Sequence, residues 1–574
     1  VTMRNRYRFL IPLALVSLMA TSCASDTEGD GGAAGDYPRA ETLYTGGTQW
    51  GPPSTWNPLD TGNYATGTVG LVYETLFLFE PQSGEYIPWL AESGEWVDDS
   101  TYELKLRQGV QWSDGEDFTA DDVVFTVELG QIEGSTYGNL WEWLESAEAV
   151  DDHTVRFTFS QANYAQWANW LYFNAIVPEH IWSERSDEEI LTGANEEPVG
   201  TGPYAYEAHD QDRQVWKKRD EWWATEALGH EVAPTYIVDV VNTSNEAALG
   251  QVLQGNIDMN NNFLPGVAQL VQGGYGVETY YPEEPYMLAA NTAWLVPNTT
   301  KEPMDDPEFR KALSASIDMD EIVTNVYGGL VTEANPTGLL PAWEEYIDTE
   351  VVEEYATPRD PDVAKDILEE AGYEDTNNDG FVETPDGDPI DLTLIVPSGW
   401  TDWMESARVI SESAEAVGIK VTAEFPEFND LVDQRNSGEF DLVINNERQI
   451  SNTPWTYYDY IFRLPVQEQQ TTVNFGRYEN EDAWELVGEL DGVPVEDVEA
   501  VREVAGELQQ IHLEEMPVIP LWYNGLWSQT SNTVWTNWPS SETDNNYLPS
   551  TWRGYFQLGS ILMLTELEPA PEEE

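Results

Sequence analysis

The chain has 574 residues, with 105 Asp plus Glu against 25 Lys plus Arg and a formal charge of −80. A phosphate-binding face needs clustered Lys and Arg, so this balance argues against nucleic acid as a partner. Hydrophobic residues at 41% and aromatics at 12% suffice for a packed core and exclude global disorder. Low Lys with abundant Asp and Glu is a surface suited to salty surroundings. At about 150 residues per domain the length allows about four compact units or one large bilobal architecture.

Arg4, Arg6 and Arg8 precede an apolar run over 9–20, and Ala20-Thr21-Ser22-Cys23 follows, the layout of an export signal over 1–22. The run is shorter than the roughly 18 apolar residues of a membrane span, and no later segment approaches that length. Cys23 is the single cysteine, so no internal disulfide forms. It stands where a bacterial lipoprotein is cut and lipidated, which predicts a lipid anchor on the outer face of the cytoplasmic membrane. The alternative is a free thiol behind an ordinary signal peptide. Residues 23–36 are polar and Gly-rich and read as a flexible tether.

From Thr42 onward strand and helix signals alternate without a Pro/Ser-rich linker or an internal repeat, so any domain division arises from topology. Residues 102–110 alternate as a strand, Gly115 turns, and Thr119 to Asp122 cap a helix through Val123, Val124, Phe125 and Val127. Strand patterns recur at 155–159, 237–241, 391–396 and 420–423. Helical spacing marks 306–327, 360–371 and the stretch through Ala407, Ile410 and Ala414. The fold class is α/β. The acidic end, 566–574, reads as a frayed tail.

Asp375, Asn377, Asp379, Phe381 and Glu383 take positions 1, 3, 5, 7 and 9 of a calcium-type loop, with Gly380 at 6 and Asp386 at 12. A strand follows where an EF-hand would have a helix. The readings are a structural calcium loop or an Asx-rich turn, and no cofactor is required. His153, His180, His209, His230 and His512 show no metal-ligand spacing. There is no Walker A sequence, no G-x-S-x-G elbow and no Cys/His dyad, which argues against an enzyme. A secreted glycoside hydrolase remains the alternative of a different class, because chance carboxylate pairs are plentiful among so many acids.

Six stretches, in order along the chain, resemble the family 5 extracellular solute-binding proteins, the peptide, nickel and oligosaccharide receptors of ABC importers. They are YELKLRQGVQWSDGEDFTADDVVFTVE (102–128), PVGTGPYAY (198–206), FRKALSASIDMDEIVTNVYGG (309–329), EEAGYEDTNNDGFVE (369–383), GIKVTAEFPEFNDLV (418–432) and LQQIHLEEMPVIPLWYN (508–524). The resemblance implies a bilobal periplasmic-binding-protein fold of the large, three-subdomain form, closing on ligand by a hinge. It implies a lobe I core of 37–70, 195–288 and 525–565, an extra subdomain of 71–194, a lobe II of 289–524 and two crossings, near Asn291 and near Trp522 to Trp527. A monomer that meets ABC permease subunits follows. Gly200, Gly202 and Pro203 read as a tight turn, with Gly202 needed for its backbone conformation.

Peptide-binding members carry an acid that pairs with the peptide ammonium, in a stretch resembling a tryptophan followed by Asp-Tyr. Here neutral Ser451 and Asn452 stand where that acid is expected, and burying an unpaired ammonium costs several kcal/mol. Asp459 is the possible substitute. The 24 tryptophans recur in Gly/Pro-punctuated loops beside polar residues, a mixture that suits sugar rings. The phrases GGTQWGPPSTWNPL, GLVYETLF and IPWLAESGEW resemble the cellobiose and β-glucoside receptors of the family. Trp50, Trp56, Trp400, Trp403 and Trp455 are the stacking candidates. Asn291, Asp402, Asn445, Asn446, Arg448, Gln449 and Asn452 are the candidates for binding hydroxyls, against ordinary loop capping. An oligosaccharide is the expected ligand, with peptide as the alternative.

Overall fold

The computed structural model describes residues 37–60, 64–80, 84–446, 450–543 and 560–571. The signal segment, Cys23, the whole tether to residue 36, Arg448 and Gln449 lie outside these residues. No helix among the described residues is long and apolar enough to cross a membrane.

Two mixed sheets organise the chain. The first has seven strands in the order Val277–Thr279, Gln529–Ser531, Met259–Asn260, Thr42–Gly46, Tyr236–Val240, Arg213–Lys218 and Tyr204–His209. Thr42–Gly46 runs parallel to Tyr236–Val240 and to Met259–Asn260. The second has five strands in the order Val421–Glu424, Leu392–Ile395, Leu442–Asn445, Ala289–Pro297 and Ile519–Gly525. Leu392–Ile395 is parallel to both of its neighbours. Ala289–Pro297 is buried along nearly all its length, as expected for a central strand covered on both faces. The chain passes from the first sheet to the second over 280–288 and returns over 526–528.

An insertion between Thr42–Gly46 and Tyr204–His209 carries a four-stranded antiparallel sheet, Ala91–Asp98, Thr101–Leu106, Thr154–Phe159 and Leu144–Asp151. Thr154–Phe159 buries Val155, Phe157 and Phe159 on one face, the consequence of its alternating pattern. The insertion is fastened to the first sheet. Gly202 N–H donates to Val72 O at 2.8 Å, and the buried Glu74 carboxylate accepts from the indoles of Trp89 at 2.9 Å and Trp223 at 2.7 Å. Gly200 and Gly202 are not in the left-handed region. A Cβ on Gly200 would overlap Val72 O and one on Gly202 would overlap Leu71 O, so these glycines serve close approach and not a special φ.

Helix boundaries follow local chemistry. Thr119 and Asp122 form a capping box on Ala120–Glu128. Asp360 caps Pro361–Ala371, Pro361 opens it, and Gly372 at φ 87 closes it. The acidic end is more ordered than a frayed tail: Ser560–Glu566 is helical, Leu567 is buried, and Glu568–Pro569 pairs antiparallel with Trp535–Thr536. The apolar run Ile561 to Leu564 anchors it, outweighing the flanking charge.

Candidate ligand-binding site

In each sheet the C-terminal ends of parallel strands lead into loops that meet. From the first sheet come Gly47 to Trp50 after Thr42–Gly46, Asn242 to Asn245 after Tyr236–Val240, and Asn261 to Asn262 after Met259–Asn260. From the second come Val396 to Trp400 after Leu392–Ile395, and Asn446 after Leu442–Asn445. Crevices outside such strand ends are where open α/β sheets bind ligands.

The lobes touch there directly. Asn245 N–H donates to Gly399 O at 3.1 Å, and its Nδ2 donates to Asp402 Oδ1 at 2.9 Å. Gly399 has φ 86, and a Cβ there would stand 2.7 Å from Thr243 O. Trp50 and Trp400, each half-buried, face one another across the junction with ring centroids 5.2 Å apart. Trp400 also stacks on Phe428 at 6.0 Å. The indole N–H of Trp400 is buried without a hydrogen-bond partner.

A second group lies on the middle of the five-stranded sheet. Asn291 pairs with Asn524 in register, and its Oδ1 accepts from Asn446 Nδ2 at 3.3 Å. Asn445 Nδ2 donates to Tyr460 Oη at 3.0 Å. Asn242 Nδ2, Asn262 Oδ1, Asn524 Oδ1 and Ser528 Oγ are buried without partners. Ser451 Oγ is taken by Thr453 O at 2.7 Å and Thr456 Oγ1 at 2.9 Å. Asn452 sets its amide beside the Tyr86 hydroxyl of the inserted subdomain, whose pKa burial pushes well up. Trp455 opens helix Trp455–Phe462, 4% exposed, with an indole N–H that has no partner.

Three candidates take other roles. Trp56 is 2% exposed, packs on Tyr206 and His209, and donates to Gln214 Oε1 at 2.8 Å. It is a core residue of the first lobe with no face left for a sugar. Trp403 is 4% exposed between Trp400 and Trp522, filling the second lobe. Asp402 is engaged by Asn245 and by Tyr327 Oη at 3.0 Å, and burial pushes its carboxyl up to about 6. It ties the lobes together, each of its oxygens already accepting a hydrogen bond from protein. The residues missed by the sequence reading are Asn242, Asn245, Asn262 and Asn524. Asn262 had a signal in the run Asn260-Asn261-Asn262 and Asn524 in the end of LQQIHLEEMPVIPLWYN, each weak without knowing that it ends a strand.

Asp459 forms a buried ion pair with Arg463, whose Nε donates at 2.7 Å. Its charge is therefore met within its own helix turn. In the acidic loop, carboxylate oxygens of Asp375, Asp379 and Glu383 lie within 4.8 Å of one another. Asp386 is not among them. Glu383 folds back on the loop: Thr376 N–H and Oγ1 donate to Glu383 Oε2, both at 2.7 Å, and Asn377 Nδ2 to its Oε1. Asp375 accepts from the N–H groups of Asn378, Asp379 and Gly380.

A sequence profile described as bacterial extracellular solute-binding proteins, family 5, middle region, matches residues 85–467. The chain belongs to this family. It is the substrate-binding component of an ABC importer, an exported transport receptor and not an enzyme. An oligopeptide ABC transporter periplasmic binding protein from Thermotoga maritima, solved with mannohexaose bound, is 43% identical with a TM-score of 0.89, over 93% of this chain and 99% of that one. The oligopeptide-binding protein AppA of Bacillus subtilis is 26% identical over 91% of this chain and 94% of its own length. The dipeptide-binding protein of Escherichia coli is 25% identical over 73% and 78%.

Proposed function

We propose that this receptor captures a neutral oligosaccharide, of the β-linked glucose type, between its two lobes. The observation that carries the reading is the chemistry at the junction: amides, one serine hydroxyl and indole N–H groups are buried without partners, while the acids beside them are engaged. Asp459 is paired with Arg463 and Asp402 with Asn245 and Tyr327. Amides and indole N–H groups match sugar hydroxyls, and the faces of Trp50 and Trp400 match the C–H face of a pyranose. A peptide ammonium would find no free carboxylate among these described residues and would pay for its lost hydration. The mannohexaose held by the Thermotoga protein supports an oligosaccharide as the ligand class, with mannose and not glucose as its unit.

Peptide is the second reading, favoured by the names of AppA and the dipeptide-binding protein. A fluorescence titration of residues 24–574 decides between them. The probes are cellobiose, cellohexaose, laminaribiose, mannohexaose and a panel of di- to pentapeptides. Saturable quenching or enhancement by a sugar alone is expected; response to peptides alone overturns the proposal.

The mechanism that fits this site is rotation of the second sheet's lobe about the segments 280–288 and 526–528. Ligand binding would replace water at the orphaned amides, and the Trp50–Trp400 contact would cover it. The receptor acts as a monomer held to the membrane by lipidated Cys23. Metabolic labelling with palmitate should mark the wild-type chain and not Cys23→Ser.

A further inference from the structure

The lobes meet a second time, away from the strand ends. Helix Tyr164–Phe173 belongs to the inserted subdomain, which is fastened to the first sheet. Its N-cap residue, Asn163, does not cap it; the Asn163 amide bonds to Gln166 Oε1 at 3.3 Å instead. The open N–H of Gln166 is taken from the other lobe, by Asp491 Oδ1 at 2.7 Å. Asp491 ends helix Glu481–Asp491 and is 1% exposed, and its Oδ2 is buried without a partner. Gly492 follows, and a Cβ on it would reach Ala162 O at 3.7 Å, so the two chains run close.

This is a costly place for a carboxylate charge. Asp491 sits at the negative end of its own helix. Asp459 faces it from helix Trp455–Phe462, and the nearby cation, Arg463, is already bonded to Asp459 and reaches Glu142 of the inserted subdomain at 3.4 Å. Helix Tyr164–Phe173 has no charged residue, and Glu485 and Glu489 on the helix of Asp491 are exposed. The Gln166 and Ala165 N–H groups at the helix N-terminus and the charge of Arg463 favour the anion, and burial, with Asp459 beside it, outweighs them.

We propose that Asp491 is a protonation-dependent clasp on the closed state. When the lobes meet, its carboxyl caps helix Tyr164–Phe173 and binds a proton, so that closure, and with it ligand affinity, weakens as pH rises. The inference rests on the reading that the lobes open and close around ligand. Burial holds the Asp491 carboxyl up at about 8 when the lobes are together, against about 3.9 for an exposed aspartate. The closed state therefore takes up a proton between these values. The contribution to closure is complete below about pH 4 and is lost as pH climbs through about 8. Asp402 also bridges the lobes, but its carboxyl is raised only to about 6. The interval from about pH 6 to 8 thus belongs to Asp491.

Asp491→Asn keeps the acceptor oxygen and puts an NH2 where the acid O–H would stand, a permanent copy of the protonated clasp. The test measures affinity for cellohexaose, mannohexaose and a pentapeptide from pH 5 to 9, for wild type and Asp491→Asn, together with the Tm of each protein without ligand. Wild-type affinity should fall by about tenfold or more between pH 6 and 8, while that of Asp491→Asn stays level. Asp491→Asn should also melt higher than wild type at pH 8.5 and alike at pH 5. Equal pH slopes in the two proteins, in affinity or, if no probe binds, in Tm, overturn the clasp. Failure of both sugars beside pentapeptide binding that keeps the wild-type pH slope and loses it in Asp491→Asn would overturn the oligosaccharide reading and leave the clasp standing.

Discussion

Tryptophan 400 and tryptophan 56 show how one residue type divides between two jobs. Both stand in Gly/Pro-punctuated loops, and local sequence does not distinguish them. Trp400 keeps a half-exposed ring and an unsatisfied N–H at the junction, whereas Trp56 spends its N–H on Gln214 and its faces on Tyr206 and His209. Trp400→Ala should therefore weaken oligosaccharide binding by tenfold or more, about 1.4 kcal/mol, with a small change in Tm. Trp56→Ala should cost about 3–5 kcal/mol of stability through its cavity and leave the affinity of the folded protein unchanged. Trp455→Phe keeps a six-membered aromatic ring and deletes the pyrrole ring with its buried N–H. A loss of about 1 kcal/mol in affinity, about fivefold in Kd, is expected in the same titration if that N–H meets the sugar, and no change would assign Trp455 to packing.

At the scale of elements, caps and alternation were legible because their causes are local. Thr119 with Asp122, Asp306 with Pro307, and Asp360 with Pro361 and Gly372 each mark a helix end within a few residues. Thr119→Ala should cost about 1 kcal/mol in a urea melt. The PVGTGPY turn was located correctly but given the wrong reason. Its glycines have ordinary φ, and what they supply is room beside the carbonyls of Val72 and Leu71. Gly200→Ala should thus loosen the inserted subdomain, seen as faster proteolysis within 71–194 and a lower Tm. A glycine needed only for φ is recognised by its turn, while a glycine needed for space is recognised only by the chain that comes to lie against it. The acidic C-terminal end shows the converse error. Its charge suggested fraying, and the apolar run before it pinned the segment down.

The whole molecule carries its charge on the outside and its difficult acids at the lobe contacts. A surface of this sign repels itself, and salt screens that repulsion. Raising NaCl from about 0.1 to 2 M should raise Tm, and a flat profile would show that the surface charges are spaced widely enough not to matter. Buried His512, whose ring burial depresses to about 4, acts in the opposite pH direction from Asp491. Neutral in the folded chain and charged in the unfolded one, it makes stability present above about pH 6.5 and lost as pH falls towards 4. Between about pH 4 and 6.5 the two oppose one another, and above about 6.5 the loss from Asp491 is unopposed, so Tm should hold level up to about pH 6.5 and fall from there to about 8.

Sequence by itself determined the family, the α/β class and the capped helices, because these rest on composition, short-range periodicity and ordered motifs. It also proposed the amide-rich stretch around Asn445 and Asn446 that the five-stranded sheet sets beside Asn291. Tertiary structure alone decided which tryptophans reach the junction and that Asp459 is spoken for by Arg463. It alone turned Asp402 from a ligand candidate into a tie between lobes and set Asp491 on a helix 325 residues away in sequence. The physical reason is one of range. Caps and strands are settled by neighbours along the chain, whereas exposure, charge pairing and proton affinity are settled by whatever the fold brings alongside.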